Sequence, residues 1–193
     1  TNEPGCLPRH LKIPVVTYFT EHPRYDFVCY SQAGVVETTL DYLERLGHRN
    51  IGFVSVKNSG RTELYLESLR RRGMRAAGTW LIDQKSEKIE GLEEVLSGTN
   101  IPDAIVGNSD EAAMLVIQYA GRHGVSVPRD MSVIGCNDNW IAGLASPPLT
   151  TICRTDEPFG RLLTEMLLRR LEQPDLPKMK YVTKQTLIER GTC

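Results

Sequence analysis

The sequence predicts an α/β fold built on parallel sheets, and three observations carry that prediction. Short apolar, β-branched runs alternate with segments of helical periodicity along the 193-residue chain. The helical segments are too long for hairpin turns, so successive strands pair in parallel through right-handed crossovers. MSVIG (131–135) and AIVG (104–107), apolar but for Ser132, read as strands buried on both faces.

The elements follow in order. KIPVVTY (12–18) is a β-branched run and predicts a strand. QAGVVETTLDYLERLGH (32–48) places Val36, Leu40 and Leu43 at helical spacing, with Val35, Tyr42 and Leu46 beside them, and Gly47 stands at the C-cap. NIGFVSV (50–56) is a strand, NSG a turn, and 61–72 a helix closed by Gly73. A strand near 78–82, a helix over 87–96 and a strand at 103–106 come next. The helix over 110–123 stops at Gly124. MSVIG and LTTI (149–152) are strands. Asp156 offers an N-cap, with Pro158 in the first turn of a helix reaching 171. QPDLP is a linker, and KYVTKQTLIER (180–190) predicts one closing strand.

Composition narrows the function classes. A 40% hydrophobic and 24% charged chain is ordinary for a globular protein. A net charge of −1 argues against this chain itself gripping a phosphate backbone. The apolar runs are too short to cross a bilayer, and no basic-then-apolar leader opens at Thr1. The five Cys are odd in number and none stands in C-x-x-C spacing, which argues against a disulfide framework and a zinc site and for reduced thiols near a core. No G-x-G-x-x-G, Walker, H-E-x-x-H or G-x-S-x-G signature is present, so no cofactor and no metal is expected. His48, after Gly47, suits a helix C-terminus better than catalysis. Asp110 and Glu111 read as acids complementing a helix N-terminus, and Arg70, Arg71 and Arg72 as a solvated, dipole-favoured helix end.

Open α/β sheets hold ligands beyond the carboxyl ends of their strands. KNSGR (57–61), NSDE (108–111) and CNDN (136–139) each follow a strand there, so three polar tips are expected along one sheet edge.

Several blocks together resemble one family. LERLGHRNIGFV is similar to the L-x-x-L-G-H-R-x-I-x-F segment of the lactose/purine repressor (LacI/GalR) family. VPRDMSVIGCNDN…PPLTTI resembles its V-P-x-D-V-S-V-I-G-F-D-D…P-P-L-T-T-I. IPDAIVGNSDEAA, IPVVTYF and LIERGTC resemble its P-D-A-I-F-x-x-N-D-x-x-A, I-P-V-V-x-I-D and L-x-x-R-x-S. The blocks run in order from residue 12 to the end. The resemblance implies a periplasmic-binding-protein-like effector domain, with two parallel-sheet lobes around a cleft. It implies a sugar-type effector, a homodimer in the cytoplasm, and DNA contact only through a helix-turn-helix domain absent from this chain. A periplasmic-type sugar-binding protein for transport or chemotaxis is the alternative, and an enzyme ranks third.

The family's domain has further strands and helices before I-P-V-V, whereas this chain has about a dozen residues there. The expectation is therefore an incomplete first lobe, a Thr1 that is not the native start, residues 1–30 and 149–172 in the N-terminal lobe, and residues 31–148 and 173–193 in the C-terminal lobe. Carried over position by position, the effector-binding residues implied are Arg61, Trp80 as an aromatic platform, Ser109 where Asn is usual, and Asn137 where the first Asp of G-F-D-D is usual. Arg154 follows LTTI where a polar residue is usual, and Phe19 replaces the Asp of I-P-V-V-x-I-D. Tyr30 replaces another Asp. Lost carboxylates with Arg61 kept and Arg154 added would favour a sugar acid or sugar phosphate, since guanidinium pairs with an anion in two-point fashion. An Arg61 paired within the protein, beside a neutral sugar, is the competing reading.

Overall fold

A computed structural model describes residues 13–19, 21–57, 59–83, 88–155 and 157–193. The strands and helices run β1 (Val16–Tyr18), β2 (Asp26–Tyr30), α1 (Gln32–Arg45), β3 (Asn50–Ser55), α2 (Arg61–Arg71), β4 (Arg75–Asp83), β5 (Lys88–Ile89) and α3 (Leu92–Leu96). There follow β6 (Ala104–Gly107), α4 (Asp110–Arg122), β7 (Ser132–Cys136), α5 (Trp140–Leu144), β8 (Thr150–Cys153), α6 (Phe159–Glu172), β9 (Lys180–Thr183) and β10 (Thr186–Ile188). The chain divides into two compact units, Thr1–Ser31 with Thr155–Gln185, and Gln32–Arg154 with Thr186–Cys193.

The smaller unit holds a three-stranded parallel sheet in the order β1-β2-β9, with α6 packed against β1 and β2. Phe27 and Val28 of β2 are fully buried. The sequence pattern did not single out β2, because its first residue is an acid. Asp26 is nonetheless 3% exposed, and its two oxygens accept from Nε and Nη2 of Arg170 at 2.9 Å each, with the Met179 N–H at 2.7 Å. A charge can be buried only with this degree of pairing. Arg170 also donates to the carbonyls of Pro174, Leu176 and Pro177, so it binds the 173–179 turn to the sheet. Residue 12, at the start of the first predicted strand, and the Asp156 cap lie outside the described residues.

The larger unit is a seven-stranded sheet in the order β10-β8-β7-β6-β3-β4-β5. Its five inner strands are parallel, while β10 and β5 run antiparallel at the two edges. The chain moves from β3 outward to β4, then returns past β3 to β6, β7 and β8. Right-handed crossovers in opposite directions place helices on opposite faces. Accordingly α1 packs on α2, and α4 packs on α3 and α5. Val54, Ile105, Val133 and Leu149 are among the core residues that pack with Val116 of α4. The glycines expected to end α1, α2 and α4 do so: Gly47, Gly73 and Gly124 have φ of 87°, 64° and 74°.

Four expectations are corrected. KYVTKQTLIER is two strands: β9 pairs with β2 of the smaller sheet and β10 with β8 of the larger. The division into lobes moves with it, so 149–154 belongs to the larger unit and 173–185 to the smaller. The helix predicted over 87–96 is only Leu92–Leu96, because Gly91 adopts φ 77° and Lys88–Ile89 pairs with β4. The basic end of α2 is not merely solvated. Arg72 bonds Glu37, Asp41 and Glu44, and Arg71 bonds Glu37, tying α2 to α1.

Candidate functional site

The order of the larger sheet reverses between β3 and β6, and such a switch point opens a crevice outside the carboxyl ends of the strands. Three polar tips meet on that edge. Ser59, after β3, donates from its hydroxyl to Asn108 Oδ1 at 3.2 Å. Arg61 opens α2 and reaches across: Nη2 donates to the Asn108 carbonyl at 2.9 Å, and Nη1 to Cys136 Sγ at 3.1 Å. Its side chain is 7% exposed. One guanidinium thus joins the loop after β6 to the end of β7. Burial pushes the Cys136 thiol up in pKa, while Arg61 and then Arg154 act against it.

The loop after β6 caps α4. Ser109 has extended backbone, and its Oγ accepts the Ala112 N–H. Glu111 accepts from Asn139 Nδ2 at 2.6 Å. Burial raises the Glu111 carboxyl, but bonds from the Ser109 hydroxyl, its own N–H and Asn139 outweigh it, and the net displacement is downward. Asp110 is fully buried, accepts from the Thr151 hydroxyl, and takes the Asn139 N–H at 2.6 Å. Burial dominates there, and its pKa is raised despite those bonds. Gly135 makes room for it, since a Cβ on β7 at that point would collide with Asp110 Oδ1.

Asn137 and Asp138 have φ of 122° and 53°. The Asn137 N–H donates to the Ile152 carbonyl at 2.9 Å, while its Oδ1 is buried without a hydrogen-bond partner among the described residues. A cavity of about 600 Å³, lined by Val56, Ile82, Ser109, Glu111, Met114 and Ile141 among others, opens beside the switch point. Small-molecule pockets are of this order.

Arg61, Ser109 and Asn137 therefore gather on one edge, and Arg154 follows β8 within electrostatic range of Glu111 and Cys136. Trp80 does not join them as a platform. It is 7% exposed in the core, with its ring over Gly52 and Gly78, where added Cβ atoms would stand 2.5 Å and 2.6 Å from it. Phe19 lies in the smaller unit at the carboxyl end of β1, with φ 67°. It packs among Tyr18, Tyr30 and Phe159, at centroid distances of 3.6, 5.7 and 5.9 Å. Sequence reasoning placed Asn108, Cys136 and Asn139 in the polar tips NSDE and CNDN but did not name them as contacts. Asn108 and Asn139 act through backbone groups as well as their side-chain amides, and no side-chain pattern signals the backbone part.

A doubly wound sheet with polar loops and a cavity at its switch point defines a ligand-holding α/β domain. Residues 40–193 match the periplasmic binding protein-like domain, and the chain belongs to that family. It is 28% identical over 155 residues to the ribose operon repressor of Haemophilus influenzae, covering 76% of this chain and 45% of that protein. It is 30% identical over 193 residues to the HTH-type transcriptional repressor PurR of Edwardsiella ictaluri, covering 94% and 56%. The chain thus spans about half the length of the curated relatives it matches. A LacI family transcriptional regulator from Enterococcus faecium with bound ribose shares the fold, with TM-score 0.75, 18% identity, and 93% and 70% of the two chains covered.

Proposed function

We propose that this chain is the effector-sensing part of a transcription regulator, holding a small sugar-like metabolite at the carboxyl edge of the larger sheet. The observation that carries the reading is the Arg61 bridge. It draws the tips after β3, β6 and β7 into one polar edge beside a ligand-sized cavity. The kinship with repressors, one of a ribose operon, supports a sugar-type effector. Binding would favour one conformation and shift its population, with no bond made or broken by the chain. DNA contact would belong to a helix-turn-helix segment of the whole protein, acting as a cytoplasmic homodimer.

Arg61, Ser109, Asn137 and Arg154 are the proposed contacts on this edge. A sugar acid or sugar phosphate is a second reading, favoured by two guanidinium groups, Arg61 and Arg154, acting on the same Cys136 thiol. Thermal unfolding with D-ribose, other neutral sugars, sugar acids and sugar phosphates tests both. At 100 times its Kd a ligand adds about 2.7 kcal/mol. Stabilisation by an anionic sugar, lost in Arg61→Ala, selects the second reading. Stabilisation by neutral sugars alone selects the first, and no response to any of them counts against both.

A further inference from the structure

Asn137 and Asp138 are consecutive non-glycine residues at positive φ, 122° and 53°. Such a turn persists only where its surroundings hold it. Four contacts do so. The Asn137 N–H donates to the Ile152 carbonyl at 2.9 Å, and the Asp138 N–H faces Thr151 Oγ1 at 3.4 Å. The Asn139 N–H donates to Asp110 Oδ2 at 2.6 Å. The fourth is the only one made by a charged pair: Arg190 Nη2 donates to Asp138 Oδ1 at 2.6 Å.

Arg190 is itself anchored. Its Nη1 donates to the Leu149 carbonyl at 2.9 Å and its N–H to Thr150 Oγ1 at 3.0 Å. The Gly191 N–H donates to the Pro148 carbonyl at 2.8 Å. Thr192, fully buried, accepts the Thr150 N–H and donates to the Val133 carbonyl, while its own carbonyl accepts the Val133 N–H. The segment after β10 is therefore stitched to β7 and β8 on both sides of Arg190, and the guanidinium transmits that rigidity to the turn. A planar fork can serve Leu149 and Asp138 together, which a lysine ammonium cannot do in the same geometry.

We propose that Arg190 is a positioning residue for effector binding, fixing through Asp138 the strained turn that presents the Asn137 amide at the sheet edge. The Asn137 Oδ1 supplies the independent sign of a ligand. It is buried and unmet by any described donor, so its bonding capacity is unspent in this conformation and becomes available to a ligand hydroxyl when the edge rearranges on binding. The inference rests on the effector reading of this edge.

The test pairs a structural and a binding readout on the full chain. Side-chain amide signals of ¹⁵N-labelled protein, with Asn137 assigned by Asn137→Ala, are compared in wild type, Arg190→Ala and Arg190→Lys. Arg72→Ala serves as a control that loosens the fold elsewhere. The Asn137 pair is expected to move in both Arg190 variants and to stay in place in Arg72→Ala. Affinity for D-ribose, or for D-glucose 6-phosphate if only an anionic sugar stabilises the wild type, is expected to fall at least tenfold in Arg190→Ala. An unmoved Asn137 signal, or unchanged affinity, overturns the proposal. A wild type that answers neither sugar, with the Asn137 signal still moved by Arg190, overturns the effector reading while leaving the positioning contact established. Should Arg190→Ala fail to fold, Asp138→Asn breaks the same ion pair from the other side and is read by the same two measurements.

Discussion

Removing the Trp80 ring separates a core role from a ligand platform, and the glycines beneath it make the test quantitative. The side chain is 7% exposed, and large aromatics so placed lose about 3–5 kcal/mol on truncation to alanine. For a chain of this size each kcal/mol shifts Tm by about 2–4 °C, so Trp80→Ala is expected to lower it by about 6–20 °C. Gly52→Ala attacks the same contact from β3. Its Cβ would meet Trp80 Cζ3 at 2.5 Å and Cη2 at 3.0 Å, and overpacking of this kind costs about 1–3 kcal/mol. In the Trp80→Ala background the ring is gone and only Ile105 Cγ1, at 3.3 Å, still crowds the added Cβ, so Gly52→Ala should cost much less than in the wild type. The double mutant is then more stable than the sum of the singles by about 1–3 kcal/mol. Urea or thermal unfolding of the four proteins measures this directly. Additivity within about 0.5 kcal/mol would refute the packing argument. So would a Trp80→Ala protein of nearly wild-type stability that has lost only its ligand.

Three further outcomes follow from charged groups. Arg170→Ala leaves the Asp26 carboxylate buried and unpaired, and is expected to cost about 3–5 kcal/mol in denaturant unfolding. Burial pushes the Asp26 carboxyl up, but Arg170 and the Met179 N–H outweigh it and hold it below its ordinary 3.8. That contribution is present above pH 3.8 and lost as pH falls through the lower folded value, and Asp26→Asn should abolish the dependence. The Glu37 carboxyl is held at about 2 by the Ser68 hydroxyl and then Arg72, although it is a third exposed. Glu37→Gln should cost about 1 kcal/mol at neutral pH, a difference that shrinks below pH 4.5 and vanishes near pH 2. Burial depresses the half-buried His48 imidazole below 6.5, with Asp103 opposing, and its Nε2 lies 3.0 Å from Ser132 Oγ. Its contribution is therefore present above pH 6.5 and lost as pH falls, and His48→Gln should flatten the urea midpoint across that range.

Several parts of this architecture were legible in the residues themselves. Gly47, Gly73 and Gly124 marked helix ends because only glycine enters the left-handed region freely. AIVG and MSVIG read as inner parallel strands because both of their faces are covered. The three polar tips fell on one edge because parallel strands share the direction of their carboxyl ends. Where the reading missed, distant partners decided. β2 opens with an acid that only Arg170, 144 positions away, makes tolerable. The Arg70–Arg72 run looked solvated because nothing local reveals that Glu37, Asp41 and Glu44 of α1 face it.

The sequence by itself determined much of the local alphabet: most of the strands, the glycine stops of α1, α2 and α4, and which loop tips carry polar groups. These depend on backbone preferences and on periodicity over a few residues. Only the tertiary structure decided which strand belongs to which sheet, as the division of KYVTKQTLIER between β2 and β8 shows. It alone turned the Trp80 ring onto two glycines rather than toward the edge, and brought Arg61 to a carbonyl 47 positions away and a thiol 75 positions away. Strand order is set by non-local pairing and by burial of the whole apolar surface at once, and no short window of residues contains that information.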